Sequence, residues 1–395
     1  MASGCCAIRS GRKRPDVRLA VLTSGRQDWG ILRSIVRQLK ADPAFEMILL
    51  AGGMHASDAF GRTVDLLTAD GCPPDAVLDW LGGVDEPAWH AAGKALQQTG
   101  DALARLRPDA LLLAGDRYET LAAAQAATLL VMPVVHLHGG EETAGAIDNA
   151  LRHAISKLSH LHLVSHAAYA ARLVAMGEDP GTIHVVGAPG LDNLHRLDLP
   201  DRQAVVERLG LDLIPPVVLV TVHPATLAAD PAADARAVAA AMDAWPATYV
   251  VTLPNVDPGH ASVRQVMQAA GTGPRRVAVN ALGERFFWGL MRQADVMLGN
   301  SSSALIEAPA VHLPAVNVGE RQAGRLRDGH ILDVPADFRA IVTALNTALN
   351  PAWRAALQHE PPLFGDGRAA ARIAALLHAW KRPDPPIKGR PVPGC

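Results

Sequence analysis

Residues 115–166 read GDRYETLAAAQAATLLVMPVVHLHGGEETAGAIDNALRHAISKLSHLHLVSH. An apolar strand is predicted just before this stretch, at 109–114, and two more within it, at 134–138 and 160–165, with helices between them. Charged and imidazole groups follow the ends of the first two strands. In open α/β sheets, ligands bind at the carboxyl ends of the strands. The stretch therefore predicts a parallel α/β sheet with a functional site at this edge.

The same alternation of apolar strands and amphipathic helices runs through most of the chain, which at 395 residues is long for a single core. Further strands are predicted at 17–23, 46–52, 76–80, 183–186, 217–222, 248–253, 276–279, 296–299 and 315–318. The pattern restarts near 197–202, which predicts an α/β protein with two Rossmann-like parallel-sheet domains facing a cleft. The expected divisions are a flexible tail at 1–16, domains at 17–197 and 198–365, a terminal helix at 366–381 that packs back, and a flexible tail at 382–395.

Composition limits the possible partners. Hydrophobic residues make up 49% of the chain and charged residues 19%, as in a folded globular protein. A net charge of −2 gives no reason to expect nucleic acid or an anionic membrane as partner. No apolar run reaches the length of a membrane span, no signal peptide follows the basic N-terminus, and the cysteines lack Cys-x-x-Cys spacing. The cytosol is the expected location.

Three serines suggest a phosphate site. Ser301, Ser302 and Ser303 follow the strand VMLGN and open a predicted helix, whose free N–H groups suit a phosphate. Glu307, about two turns into that helix, could accept hydrogen bonds from two ribose hydroxyls. The alternative is an ordinary N-cap serine with a surface glutamate.

Four other polar residues stand at strand exits or loops. Arg26, in SGRQDWG, could bind a phosphate bidentately or be an exposed arginine of a βα turn. His223, in TVHP, could donate to a diphosphate or be a satisfied structural histidine. Asn255, in LPNVDPG, could bind a hydroxyl or phosphate or serve the turn. Arg321 lies with Gln322 and Arg325 in NVGERQAGR, where the alternative is solvated surface charge.

The stretch 115–166 also contains residues that have both a functional and a structural interpretation. Asp116 could be a functional acid or a helix N-cap. Asp148 and Arg152 are spaced i, i+4 on a predicted helix and could be a plain surface ion pair. Several histidines could suggest a metal site (His136, His138, His153, His160 and His162). No matching carboxylate or cysteine pattern accompanies them, so no metal is predicted.

Together these motifs resemble the hydrolysing UDP-N-acetylglucosamine 2-epimerase family, relatives of the sialic-acid precursor enzymes. The matching segments, in family order over residues 18–330, are GRQDWG, GDRYETLAAA, HLHGGEETAGAIDNALRHAISKLSHLH, VGAPGLDN, TVHP, PNVDPG, GNSSSALIEAP and NVGERQAGR. The resemblance implies a GT-B fold with UDP held mainly by the C-terminal domain and uracil against the segment 282–287. The UDP-sugar ligands that it implies are Arg26, Arg117, His223, Asn255, Leu282, Ser301, Ser302, Glu307 and Arg321.

The resemblance also assigns Asp116 and Asp148 to catalysis, but the chain departs from the family nearby. Family members that act on UDP-N-acetylglucosamine often have a glutamate in H-x-E-G-G-E where this chain has His138, and the frequent second acid after Asp148 is Asn149 here. Glu141 is retained. The base therefore stays open among Asp116, His138, Glu141 and Asp148, and a 2,4-diacetamido-trideoxy sugar of the legionaminic-acid branch becomes an alternative substrate.

The expected reaction is anti elimination of UDP to a 2-acetamidoglycal, followed by hydration to a free manno-configured sugar. UDP-N-acetylglucosamine would give N-acetylmannosamine and UDP. No redox cofactor is expected, since no G-x-G-x-x-G fingerprint is present. The alternatives are a GT-B glycosyltransferase, a non-hydrolysing epimerase and a non-catalytic nucleotide-sugar sensor. Relatives often form dimers or tetramers, so a homodimer or homotetramer is expected.

Overall fold

The computed structural model describes residues 17–58, 61–83, 86–144, 146–254, 257, 259–280, 282–357, 361–384, 386 and 388. Over these residues the chain forms two parallel sheets, one of seven strands in the order β3-β2-β1-β4-β5-β6-β7 and one of six in the order β10-β9-β8-β11-β12-β13. The first sheet contains β1 Val17–Thr23, β2 Phe45–Gly52, β3 Ala76–Leu78, β4 Ala110–Ala114, β5 Val134–Leu137, β6 Leu161–Val164 and β7 Ile183–Val185. The second contains β8 Val217–Thr221, β9 Thr248–Thr252, β10 Arg276–Val279, β11 Val296–Gly299, β12 Ala315–Val318 and β13 Ile331–Val334.

The helices lie between the strands. They are α1 Arg26–Lys40, α2 Val64–Ala69, α3 Ala88–Leu106, α4 Tyr118–Leu129, α5 Asp148–Leu158, α6 Ala167–Ala175, α7 Arg202–Leu209, α8 Ala233–Ala244, α9 His260–Ala270, α10 Glu284–Met291, α11 Ser303–Ile306, α12 Phe338–Ala348, α13 Pro351–Leu357 and α14 Ala369–Ala379. The predicted strands all form, within a residue or two at their ends. Among the described strands, only β13 was not predicted; it is a short strand at the edge of the second sheet.

Both faces of the first sheet are covered, which explains its nearly continuous apolar strands. In β1, Leu19 and Val21 pack into one core layer together with α1. Their neighbours Ala20 and Leu22 point to the opposite layer, which α3 and α4 cover. The second sheet is likewise enclosed between two apolar clusters. The prediction of two Rossmann-like parallel-sheet domains is confirmed.

The strand order reverses at the same place in each sheet. In the first sheet β1 pairs with both β2 and β4, and in the second β8 pairs with both β9 and β11. A crevice opens at such a point because the two connecting helices leave on opposite faces. The segments at these points begin at Ser24 and Gly115 in the first domain, and at Val222 and Asn300 in the second. These segments contain most of the candidate site residues.

The last helix returns to the first domain. Ile373 and Leu377 of α14 lie in the same core layer as Leu32 and Ile35 of α1. The carboxylate of Asp192 accepts hydrogen bonds from the first two backbone N–H groups of α14, both at 2.8 Å. The predicted domain limits themselves stay a prediction.

Part of the predicted C-terminal tail contacts the N-terminal domain. The tail at 1–16 lies outside the described residues, as do residues 389–395. In the described part of the C-terminal tail, the Lys388 Nζ is 2.5 Å from Glu178 Oε2, and Arg382 forms an ion pair with Asp109. No helix among the described residues combines the length and the apolar character needed to cross a membrane.

Candidate active site

A cavity of about 320 Å³ lies between the two domains. The predicted site residues that line it are Arg26, Asp116, Arg117, His138, Glu141, Asp148, His223, Leu282, Ser301, Ser302, Glu307 and Arg321. Asn255 lies outside the described residues. The acidic and imidazole groups come mostly from the N-terminal domain, and the serines and Arg321 from the C-terminal domain. The fold thus collects both groups of candidates in one crevice.

Asn300 holds the two strand exits of the C-terminal domain together. Its Oδ1 accepts a hydrogen bond from the backbone N–H of His223 at 2.7 Å, and its Nδ2 donates to the His223 carbonyl at 2.9 Å and to Asp234 at 2.8 Å. Burial, and then the charge of Arg321, lowers the pKa of His223 to about 3. The ring is therefore neutral at physiological pH and can offer one N–H to a ligand.

The helix that follows the serines is shorter than predicted. It spans only Ser303–Ile306, and Glu307 is its C-cap rather than a residue two turns inside it. The reason is Pro309, which begins a separate 3₁₀ turn and has no backbone N–H to continue the hydrogen bonds of the helix. Glu307 nevertheless lies in the cavity, and burial raises the pKa of its carboxyl.

Arg321 and Arg325 of the loop after β12 line the cavity, so the alternative interpretation of these two residues as solvated charge is wrong. The side chains of Arg321 and Arg325 are only 12% and 9% exposed. Arg321 donates to the carbonyl of Asn300 at 3.1 Å and lies 3.9 Å from Asp148 Oδ2. It thus places a positive charge beside the serines and next to a predicted catalytic acid.

An apolar wall and one arginine form another side of the cavity. Leu282 lies there with Phe287 and Trp288, which gives a surface suited to a planar base. Burial, and then the charge of Arg264, lowers the pKa of Arg26 to about 10. Arg26 therefore remains cationic at neutral pH and can bind an anion.

Asp116 is paired with a buried arginine. Arg152, whose side chain is 1% exposed, forms an ion pair with Asp116 and donates to Thr143 Oγ1 at 3.0 Å. The proposal that Asp116 caps a helix is wrong, because Arg117 occupies the N-cap of α4. The proposal of a surface pair between Asp148 and Arg152 is also wrong. The i, i+4 spacing could not reveal that Arg152 points inward.

Arg117 crosses the cleft. Its guanidinium lies 2.6 Å from Glu119 Oε1 and 2.6 Å from Asp257 Oδ1 of the other domain. The sequence did not single out Asp257, although it stands in the quoted segment PNVDPG. That Arg117 contacts UDP stays a prediction.

His138 and Glu141 form a buried polar pair in the cavity. His138 Nδ1 lies 2.7 Å from Glu141 Oε1, which also accepts from Ser165 Oγ at 2.8 Å. Arg325 Nη1 lies 3.0 Å from Glu141 Oε2. Burial alone would raise the pKa of Glu141, but Arg325 and His138 lower it to about 2. Glu141 is therefore ionised at neutral pH.

Asp148 differs from Glu141 in its electrostatics. Burial raises the pKa of its carboxyl, and Arg321 only partly opposes this. It stands at the first residue of α5 and has no nearer cation than Arg321 among the ion pairs of the described residues. A carboxyl in this setting gains and loses a proton more readily near neutral pH than Glu141 does.

Two of the remaining histidines of the opening stretch have structural partners. His136 Nε2 lies 2.8 Å from the carbonyl of Gly115, and His162 Nε2 lies 3.1 Å from Glu178 Oε2. Over the described residues, no three His, Cys, Asp or Glu side chains cluster in a way that could hold a metal ion.

The two Rossmann-like domains and the cavity between them define a GT-B fold. The sequence profile of the family described as UDP-N-acetylglucosamine 2-epimerase matches residues 37–378, and the chain belongs to that family. The UDP-N,N'-diacetylbacillosamine 2-epimerase (hydrolyzing) of Legionella pneumophila is 35% identical over 363 residues, which cover 91% of this chain and 95% of that protein. The GDP/UDP-N,N'-diacetylbacillosamine 2-epimerase (hydrolyzing) of Campylobacter jejuni is 30% identical over 321 residues, 80% of this chain and 84% of that protein.

The fold is also that of solved enzymes of this kind. The crystal structure of UDP-GlcNAc 2-epimerase from Neisseria meningitidis bound to UDP-GlcNAc is similar with a TM-score of 0.77 and 17% identity, and the match covers 92% of this chain and 100% of that one. At this identity the likeness concerns the fold.

Proposed function

We propose that the chain is a hydrolysing 2-epimerase of UDP-2-acetamido sugars. The observation that supports this most is one cavity in which acids and an imidazole of the N-terminal domain lie opposite the serines and Arg321 of the C-terminal domain. A leaving nucleotide needs stabilised negative charge, and a C2 proton next to an acetamido group needs a positioned base. The C-terminal half of the cavity offers groups that stabilise the charge of the leaving nucleotide, and the N-terminal half offers candidate bases.

In the proposed reaction, UDP is bound by Arg26, His223, Arg321 and the segment of Ser301 and Ser302, with Glu307 on the ribose and uracil against Leu282. A base removes the C2 proton, the C2–H electrons form the C1=C2 bond, and the C1–O bond breaks to release UDP. Water then adds its hydroxyl to C1, and a proton is delivered to the opposite face of C2. The products are UDP and a free manno-configured sugar.

Two substrates are candidates. The first is UDP-N-acetylglucosamine, which would give N-acetylmannosamine. The second is UDP-2,4-diacetamido-2,4,6-trideoxyglucose, and the names of the relatives from Legionella and Campylobacter favour it. The replacement of the family's glutamate by His138 also supports the second candidate. A homodimer or homotetramer stays part of the proposal.

The test is NMR spectroscopy of the reaction in D₂O with each of the two UDP-sugars. We expect free UDP and a free manno-configured sugar with deuterium at C2. A UDP-sugar product with deuterium at C2 would instead indicate a non-hydrolysing epimerase. Transfer of the sugar to an added acceptor without deuterium would indicate a glycosyltransferase, and unchanged substrate in both reactions would contradict the proposal.

A further inference from the structure

Resting on the proposed function, we infer that His138 is the proton-transfer group at C2, and that Glu141 and Arg325 are positioning residues that fix its tautomer. Arg325 acts from the opposite domain. The assignment follows from which atoms of the candidate groups are already engaged and which are left for a substrate.

Both carboxylate oxygens of Glu141 are already engaged within the protein. Its Oε1 accepts from His138 and from Ser165, and its Oε2 pairs with Arg325 at 3.0 Å. Its side chain is 2% exposed. Since a carboxylate held in this way is a weak base, it is suited to orient an imidazole rather than to remove a proton from carbon.

His138 has the complementary arrangement. Because Glu141 is ionised and can only accept, the hydrogen on the His138 ring must be on Nδ1, 2.7 Å from Glu141 Oε1. The other ring nitrogen, Nε2, is buried and has no hydrogen-bond partner among the described residues. The residue lines the cavity, so Nε2 presents a free lone pair to a bound substrate.

The backbone at this position is strained. His138 directly follows β5 and has φ 63°, in the left-handed region that residues other than glycine seldom adopt. Such a conformation persists at functional sites where the surrounding structure enforces it. In this conformation the His138 ring lies within hydrogen-bond distance of Glu141.

Arg325 belongs to the loop after β12 and reaches the N-terminal domain. A backbone hydrogen bond of 3.1 Å from Ala144 to Ala323 joins the two loops beside it. Arg325 also approaches Thr143 Oγ1 at 3.4 Å. The charge of Arg325, which holds Glu141 and through it the tautomer of His138, is therefore present only when the two domains are together.

Asp116 and Asp148 complete the set of acids. Asp116 is neutralised by the buried Arg152, which favours an electrostatic role. Asp148 remains as the second proton-transfer candidate, for delivery to the opposite face of C2.

In the elimination, Nε2 of His138 takes the C2 proton, the C1–O electron pair leaves with UDP, and the imidazolium is stabilised by Glu141.

The first experiment measures the pKa of His138 by NMR in ligand-free protein with ¹³Cε1-labelled histidine, the signal being assigned with His138→Gln. Among the described residues, Glu141, Glu307 and the neighbouring His136 interact electrostatically with the ring, and Arg325 acts on it through Glu141. Glu141→Gln removes the anion next to Nδ1, so we expect the pKa of His138 to fall by about one unit or more.

Arg325→Met leaves the charge of Glu141 uncompensated, so we expect the pKa of His138 to rise. Arg325→Lys keeps the charge and should leave it near the wild-type value. Arg105→Met, on the exposed face of α3, is the matched control and should have no effect. An unchanged His138 pKa in both Glu141→Gln and Arg325→Met would overturn the inference, whether or not the protein converts a UDP-sugar.

The second experiment is kinetic. His138→Gln should lower kcat by at least about 100-fold, the usual contribution of a general base, with UDP affinity within threefold of wild type. Glu141→Gln should shift the pH dependence of kcat/KM in the same direction as the NMR pKa. Retention of more than a tenth of wild-type turnover by His138→Gln would contradict the assignment. Absence of turnover in the wild type with both UDP-sugars would contradict the proposed function, and the NMR result would stand independently.

Discussion

At the scale of single residues, the acids of the cleft are distinguished by their cations. Asp116 has Arg152 and Glu141 has Arg325, both as close ion pairs, whereas Asp148 is 3.9 Å from Arg321. Pairing lowers the tendency of a carboxylate to take up a proton, and burial without a close cation raises it. Carboxylates that lie in the same cleft can therefore have different roles in the reaction.

Asp148→Asn tests this difference. Because burial raises the pKa of Asp148, we expect it to transfer protons, and its amide variant should lose at least about 100-fold in kcat. UDP affinity, measured by calorimetry, should change by less than threefold. Asp65→Asn, at an exposed position of α2, is the control for removal of a surface aspartate and should leave both quantities unchanged. Equal losses of turnover and UDP affinity would exclude a specifically catalytic role for Asp148.

At the scale of elements, the segment after β5 has a backbone that only certain residues can adopt. Gly140 has φ 74°, and a Cβ at this position would lie 2.4 Å from the carbonyl oxygen of Tyr169 in α6. The Gly140 carbonyl also accepts a hydrogen bond of 2.6 Å from Arg172. Gly140 therefore allows α6 to pack against the loop that carries Glu141.

Gly140→Ala should destabilise the protein, as measured by urea unfolding. Gly71 has a similar φ of 77°, but no atom lies within 4 Å of the point where its Cβ would be, so Gly71→Ala provides the matched control for backbone strain alone. That strain costs about 1–2 kcal/mol. We expect Gly140→Ala to cost roughly 1–3 kcal/mol more than Gly71→Ala, because the backbone of α6 must move. Equal free energies of unfolding would show that the contact is not restrictive.

At the scale of the whole molecule, a second group of contacts joins the domains on the side of α10. Glu284 of α10 accepts a hydrogen bond of 2.5 Å from Asn193, in the connection between the domains. Its Oε2 lies 3.1 Å from Arg196 and 3.8 Å from Arg33 of α1. Burial raises the pKa of Glu284 to about 7, although Asn193 and the two arginines act in the opposite direction.

This contact predicts a pH-dependent stability. The pKa of Glu284 is higher in the folded protein than in the unfolded chain, so its contribution is fully present below about pH 4.5 and is lost as the pH rises through about 7. Between pH 5 and pH 8, the wild type should lose roughly 2 kcal/mol of unfolding free energy relative to Glu284→Gln, as measured by urea denaturation. Parallel pH profiles of the two proteins would contradict this expectation.

The sequence by itself determined the architecture. Runs such as ALLLA in β4 and VVLVT in β8 are apolar throughout because both faces of their sheets are covered, and such runs are visible without a structure. Their alternation with helices predicted two parallel sheets, and the candidate residues at the strand exits that the structure describes all line the cavity. This works because the carboxyl ends of parallel strands meet at one edge wherever the chain goes in between.

Only the tertiary structure decided the partners of the charged groups. The spacing of Arg152 from Asp148 indicated a surface pair, yet Arg152 is buried against Asp116. Arg325 looked like loop charge, and its partner Glu141 is 184 residues away in the sequence, in the other domain. Local patterns report which side chains share a face of one element. Which charge meets which across a cleft depends on how two separately folded sheets are packed together, and no short-range pattern records that.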